Sequence, residues 1–262
     1  MLKLIKNEAL VLRRFRKGES SLIVHAFTRT HGRVVFIAKG ARVGGKRAPV
    51  PLIPVVLLEL VWSPSNKSEI QLLRETSLID GFGSIHADFV KLTWAQAVIE
   101  TLGRTLTGEI DHQQLFWDTV NYLHALEEHS ERPFNLFQRF RIQALKELGF
   151  GLDFEIPLSA GATLYFDTSA GGVCTTDQSH SLTPVNLGIW KMMAALNRFS
   201  YPETQRLVIN PEAQQKIEQI LDLAYHHAFD HWQRLESLKL LDSLHSGLPA
   251  AEAESSGYNP AE

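Results

Sequence analysis

Residues 22–28, Leu22-Ile23-Val24-His25-Ala26-Phe27-Thr28, and residues 34–38, Val34-Val35-Phe36-Ile37-Ala38, are joined by Arg29-Thr30-His31-Gly32-Arg33. Two β-branched and aromatic runs around a glycine turn read as strands of one sheet. In an extended chain Leu22, Val24 and Ala26 face one side and Ile23, His25 and Phe27 the other. The strand is therefore apolar on both faces, broken only by the polar tip of His25. Three more segments share this texture: Ala9 to Phe15, Leu52 to Trp62 and Ile70 to Thr76. Between them lie Lys17-Gly18-Glu19-Ser20, Gly44-Gly45 and Ser63-Pro64-Ser65-Asn66. Five short strands in about 80 residues, separated by glycine and proline, predict a compact all-β barrel.

After Gly83 the apolar period lengthens to that of helices. Phe89, Leu92, Gln96, Ile99, Leu102 and Leu106 follow three- and four-residue steps, five of the six being apolar, and Leu115, Thr119, Tyr122, Leu123 and Leu126 do much the same. Asp111 and Gln114 have the spacing of a capping box. A further helix is expected from Pro133 to Leu148, ending at Gly149, and others from Thr183-Pro184 and Asn210-Pro211. Residues 150–182 interrupt the helices with glycines and short β-prone pieces, Ala162 to Phe166 and Val173 to Thr175. From Ser246 onward nothing periodic is left, and the tail is expected to be disordered. The expected class is α+β: a barrel domain over 1–80, a helical domain over 81–245 with a β-rich insertion at 150–182, and a tail at 246–262.

A chain of 262 residues that is 44% hydrophobic, 21% charged and 9% aromatic is an ordinary globular protein, not a collagen-like, coiled-coil or wholly disordered one. No apolar run approaches the ~20 residues of a membrane span, and Met1 to Glu8 does not resemble a signal peptide, so no membrane association and a cytoplasmic location are expected. Cys174 is the single cysteine, which rules out an internal disulfide and a thiolate zinc site. The net charge of −3 conceals a division. Residues 1–80 carry 14 basic and 6 acidic side chains, a net of +8, and the remainder 12 and 23, a net of −11. That asymmetry points to a polyanion-binding part joined to a part with another task.

No motif of bond-making chemistry is present: no phosphate-cradling Gly-x-x-x-x-Gly-Lys, no Gly-x-Ser-x-Gly elbow and no His-Glu-x-x-His. His227 and His231 stand four apart beside His226, a spacing that can serve a metal on a helix. Without a carboxylate base between them they read as structural histidines, and no metal or cofactor site is assigned. Asp167 and Asp177 flank a glycine-rich stretch and are the carboxylates a nuclease would need, although loop carboxylates are more often solvated. The cations form a clearer pattern. Arg13, Arg14, Arg16 and Lys17 close the first strand, Arg29 and Arg33 flank a turn, and Lys39, Arg42, Lys46 and Arg47 populate a glycine-rich segment. Such groups near turns can follow an irregular phosphate chain, each contact releasing counterions.

The runs Ala9-Leu10-Val11-Leu12-Arg13-Arg14, Gly18-Glu19-Ser20-Ser21-Leu22, Phe27 to Val34, and Ala38-Lys39-Gly40-Ala41-Arg42 closely resemble the opening of the bacterial DNA-repair RecO family. The likeness continues through Pro54 to Leu60 and through Leu148-Gly149-Phe150-Gly151-Leu152-Asp153-Phe154, and so covers the chain from Ala9 to about Leu240. It implies an N-terminal OB-fold, a helical domain with a small β insertion, and a recombination mediator that is not an enzyme. Such a protein binds single- and double-stranded DNA, anneals complementary strands and, with RecR, helps load RecA recombinase on DNA coated by single-stranded-DNA-binding protein. A nucleoid-associated location follows. Where many members carry four zinc-binding cysteines, Asp153 to His180 retains Cys174 alone, so zinc is not expected. The resemblance also implies a receptor for the acidic tail of single-stranded-DNA-binding protein on the helical domain. Arg139 would be its cation, Leu136 and Phe140 its apolar slot, and His180 a second, weaker cation. The competing reading is that Arg139 pairs with a neighbouring acid.

The expected mechanism is binding without bond chemistry. The DNA-contact pool is Arg13, Arg14, Arg16, Lys17, Arg33, Lys39, Arg42, Lys46 and Arg47. Base stacking is left open, because Phe15, Phe27, Phe36 and Trp62 also suit a core. An RNA-binding OB protein and a metal-dependent nuclease are the alternatives, since phosphate contacts alone do not distinguish the sugars.

Overall fold

A computed structural model describes residues 4–41, 51–65, 68–129, 131–155, 164–175 and 182–246. Strands β1 (Ile5–Lys17), β2 (Ser21–Thr28), β3 (Gly32–Ala38), β4 (Leu57–Ser63) and β5 (Ile70–Asp80) close a barrel in the order β1-β2-β3-β5-β4. Strand β4 returns to β1, and only β3 and β5 run parallel, with Val35 against Ile70 and Ile37 against Leu72. This closure is the compact five-stranded barrel expected from the strand spacing, in the OB-fold arrangement that the family resemblance implies. The fourth strand begins at Leu57 rather than Leu52. Pro51 and Pro54 lack the N–H that a ladder needs, and Val55 turns the chain at φ 61. Leu52 and Val56 are nevertheless buried against the barrel core.

The two-faced texture of residues 22–28 has a direct structural cause. Leu22, Val24 and Ala26 point into the barrel with Ala9, Val11, Phe36, Leu60 and Trp62. On the outer surface Leu10, Leu12, Phe27 and Leu57 belong to the core of the helical part, where Phe27 meets Phe116 edge to face at 5.5 Å. Each fully buried side chain of this size stabilises the fold by about 1.5–3 kcal/mol. The barrel therefore owes part of its stability to the helices.

The helices are α1 (Gly83–Ala87), α2 (Phe89–Thr105), α3 (Gln113–Glu128), α4 (Pro133–Glu147), α5 (Leu187–Arg198), α6 (Tyr201–Thr204), α7 (Pro211–Ala228) and α8 (Glu236–Ser246). Asp88 caps α2 by accepting from Val90 N and Lys91 N, and Asn210 caps α7 through Ala213 N, as Asn210-Pro211 suggests. Helix α4 runs as expected and stops where Gly149 takes φ 90, a conformation without steric cost for glycine. The buried face of α2 includes the expected Ile99 and Leu102, with Leu106 just beyond it, and adds Trp94 and Val98, whereas Phe89 is exposed at the first position. The capping box at Asp111 does not form. Asp111 accepts from Gln113 N at 3.0 Å, and the residue before α3 is His112, which makes no side-chain cap.

Strands β6 (Leu164–Asp167), β7 (Gly172–Cys174) and β8 (Thr183–Val185) form a small sheet in the order β7-β6-β8. No helix starts at Thr183-Pro184. Thr183 pairs with Phe166 and Val185 with Leu164, and the helix waits until Asn186 caps Gly188 N at 2.7 Å. Pairing that buries Leu164, Phe166 and Val185 outweighs the local signal for a helix start. The tail at 247–262 lies outside the described residues.

Barrel and helices meet closely at the β2-β3 turn. Gly32 adopts φ 59, and a Cβ there would lie 2.2 Å from the Ile110 carbonyl oxygen. Arg33 N donates to the Gly108 carbonyl at 3.0 Å, so the turn rests on the segment between α2 and α3. Among the described residues no helix is long and apolar enough to cross a membrane.

Candidate nucleic-acid interface

The register of β1 determines what the basic run presents. Val11 pairs with Ala26, Arg13 with His25, Arg14 with Val24, Phe15 with Ile23, Arg16 with Leu22 and Lys17 with Ser21. The shift between Val11 and Arg13 is a β-bulge at Leu12, which changes the faces of all that follows. Arg14 and Arg16 continue the inward side, and Arg13, Phe15 and Lys17 the outward side. Strand β4 covers β1 only from Ile5 to Leu10. Beyond that point, among the described residues, no strand pairs on the same edge, and all of Arg13 to Lys17 are exposed. Lys39 lies at the same end, because Ala38 pairs with Leu22, the partner of Arg16. Arg42, Lys46 and Arg47 lie outside the described residues.

Arg33 has a different place from the one expected of a phosphate contact. Its Nη1 donates to the Leu106 carbonyl at 3.2 Å and the Gly103 carbonyl at 3.3 Å, and its Nη2 is bonded to His25 Nδ1 at 3.1 Å. Two carbonyls at the end of α2 and one imidazole occupy this guanidinium, which joins barrel to helices. Burial, then Arg13, draws the Arg33 pKa down. Burial, then Arg13 and Arg33, lowers that of His25 from 6.5 to about 4, so its ring is neutral near pH 7. Of the barrel aromatics, Phe27, Phe36 and Trp62 are buried, whereas Phe15 is 48% exposed.

On the helical part, Arg139 Nη1 pairs with Asp118 Oδ1 at 2.9 Å, and its Nε donates to the Phe199 carbonyl at 2.7 Å. Its guanidinium stacks 4.0 Å from the Tyr201 ring centre, and Tyr201 Oη donates to Asp118 Oδ2 at 2.8 Å. Burial, then Asp118, raises the Tyr201 pKa. Leu136 and Phe140 are 0% exposed in the helical core and do not line an open slot. Their side of α4 faces inward, while Arg139 sits at its margin. A cleft of about 330 Å³ opens beside Arg139, with Ala125, Tyr201 and Pro202 as its apolar wall and Glu128 at its edge. His180 lies outside the described residues.

Of the other chemical candidates, the histidines His227 and His231 do not share a helix. Helix α7 ends at Ala228, and His231 follows in a left-handed turn at φ 61, so the helical spacing with His227 is lost. Asp167 accepts from Ser169 Oγ, Ser169 N and Ala170 N, bonds that hold its carboxyl below the ordinary range, while Asp177 lies outside the described residues. Sequence reading missed one group. Donor atoms of Asp80, His124 and Glu127 lie within 4.8 Å of one another, close enough to share a cation. Phe82 N already donates to Asp80 Oδ1, and Ser84 to Glu127 Oε1. No local spacing signals this group, because β5 and α3 bring it together.

Family comparison agrees with the geometry. The model of the recombination protein O N-terminal domain matches residues 1–82, and that of its C-terminal domain residues 86–238. The chain is 26% identical over 250 residues to the DNA repair protein RecO of Syntrophus aciditrophicus, covering 91% of this chain and 95% of that one. It is 31% identical over 209 residues to RecO of Polynucleobacter necessarius, covering 75% and 82%. It is 36% identical over 146 residues to RecO of Vibrio parahaemolyticus, covering 55% and 57%. With barrel and helical part each matched in order, this chain belongs to the RecO family of DNA repair proteins.

Proposed function

We propose that this chain is a DNA-binding recombination mediator that performs no bond chemistry. It binds single- and double-stranded DNA, anneals complementary strands, and helps load RecA on DNA coated by single-stranded-DNA-binding protein, in concert with RecR. The observation that carries this reading is the gathering of Arg13, Arg14, Arg16, Lys17 and Lys39 at one end of the barrel by strand register. Arg42, Lys46 and Arg47 follow directly in sequence and complete the contact pool. Cations on an exposed edge neutralise phosphates and reduce the repulsion between two strands held side by side. The acidic helical part, with the cleft at Arg139, serves protein partners, among them the tail of single-stranded-DNA-binding protein.

The test is annealing of two complementary labelled oligonucleotides by the full chain, with matched RNA as competitor and with magnesium present or absent. Faster annealing without strand degradation is expected. Magnesium-dependent cleavage, or preference for RNA, would overturn the reading.

A further inference from the structure

The outward surface of the β1-β2 hairpin carries one exposed large apolar side chain, which neither the barrel nor the helices cover. Phe15 is 48% exposed, whereas Phe27 and Phe36 are 0% exposed. The bulge at Leu12 is responsible: without the extra residue Phe15 would fall on the inward side of β1. The ring stands across from Ile23, with His25 edge-on at 5.7 Å and the Arg13 guanidinium 5.1 Å from its centre. Arg13 and Lys17 flank it on the same face, each about 7 Å along the strand. A cation, an aromatic face and a second cation thus alternate along one exposed edge.

We propose that Phe15 is a platform on which an unpaired base of single-stranded DNA stacks, so that the hairpin distinguishes single strands from duplex. The inference rests on the nucleic-acid reading above and adds to it a residue and a discrimination. Phosphate contacts from Arg13 to Lys17 are available to either form of DNA. A stacking contact is available only to a base whose face is free, and in a duplex those faces are covered by neighbouring bases. The charge around the ring selects this occupant, since a polyanion with apolar planar groups matches both the cations and the ring. Annealing then removes the stacking contact and leaves the duplex product held by phosphates alone, which favours its release.

The experiment measures the affinity of the full chain for single-stranded and duplex DNA of equal length at fixed salt. Phe15→Ala should weaken single-strand binding about tenfold, the scale of one base-aromatic stack, and leave duplex binding unchanged. Phe15→Trp should restore single-strand affinity, and Phe15→Leu, apolar but without a planar ring, should not. Quenching of a 2-aminopurine-containing strand should be lost in the Ala and Leu variants. Equal loss on both DNA forms, no loss on either, or rescue by Leu would overturn the proposal. If the unaltered chain binds neither DNA form, the nucleic-acid reading itself fails.

Discussion

Arg33 on β3 and Leu106 at the end of α2 are joined by a guanidinium-to-carbonyl hydrogen bond of 3.2 Å, one of the ties between barrel and helices. A charged donor shared by two carbonyls and an imidazole is a structural tie. Arg33→Ala should therefore lower unfolding free energy by about 1–3 kcal/mol in urea titration. The salt slope of DNA binding should stay the same, since no phosphate contact is lost. A variant of unchanged stability with a reduced salt slope would return Arg33 to the contact surface.

The exposed hairpin cations should have the opposite profile. If about five phosphates are neutralised, a slope of about −0.7 per phosphate gives roughly a hundredfold loss of single-strand affinity between ~50 and ~200 mM salt. Arg14 and Arg16 sit on the inward side of β1 where β4 no longer covers them. Changing both to Ala should reduce the slope by about 1.4 while leaving the thermal midpoint nearly unchanged. A slope that does not move would place the DNA on another surface.

His25 gives the junction a pH dependence of definite sign. Its pKa falls from 6.5 to about 4 in the folded chain, through burial and the repulsion of Arg13 and Arg33. The unfolded chain takes up a proton as pH drops through 6.5, whereas the folded chain resists until about 4. Stability is therefore full above pH 6.5 and declines between 6.5 and 4, by about 1–2 kcal/mol after allowance for solvent screening. His25→Gln should flatten this part of the stability curve measured by denaturant titration. Equal acid sensitivity of the variant would assign the effect to other groups.

What the sequence disclosed and what it hid divide along physical lines. Apolar residues on both faces of Leu22 to Phe27 already signal a strand covered on both sides, and five such runs define the barrel. The bulge at Leu12 has no signature, because no glycine marks it, so the outward direction of Phe15 was not legible. Arg33 and Lys39 look alike in a list of cations. Only the packing of the β2-β3 turn against Gly108 and Leu106 separates a tie from an exposed charge. Thr183-Pro184 has the local grammar of a helix start, and the β6 pairing that overrides it comes from a distant segment.

Arg139 is the residue whose role two experiments can divide. Its pairing with Asp118, 15% and 12% of the two side chains being exposed, is the acid contact expected of a structural arginine. The same guanidinium borders the cleft at Tyr201 and Pro202, where a carboxylate of an acidic peptide can take the place of Asp118. Arg139→Ala should weaken binding of a peptide ending in acidic residues and a terminal phenylalanine by about 1.5–3 kcal/mol, with DNA affinity nearly intact. Asp118→Asn removes the competing internal charge but preserves shape and should leave peptide affinity equal or higher. The two variants should then diverge in peptide titration, only Arg139→Ala losing affinity, although both lose part of the same buried pair. If both weaken peptide binding in proportion to their loss of thermal stability, Arg139 acts only as a structural partner of Asp118 and the peptide site lies elsewhere.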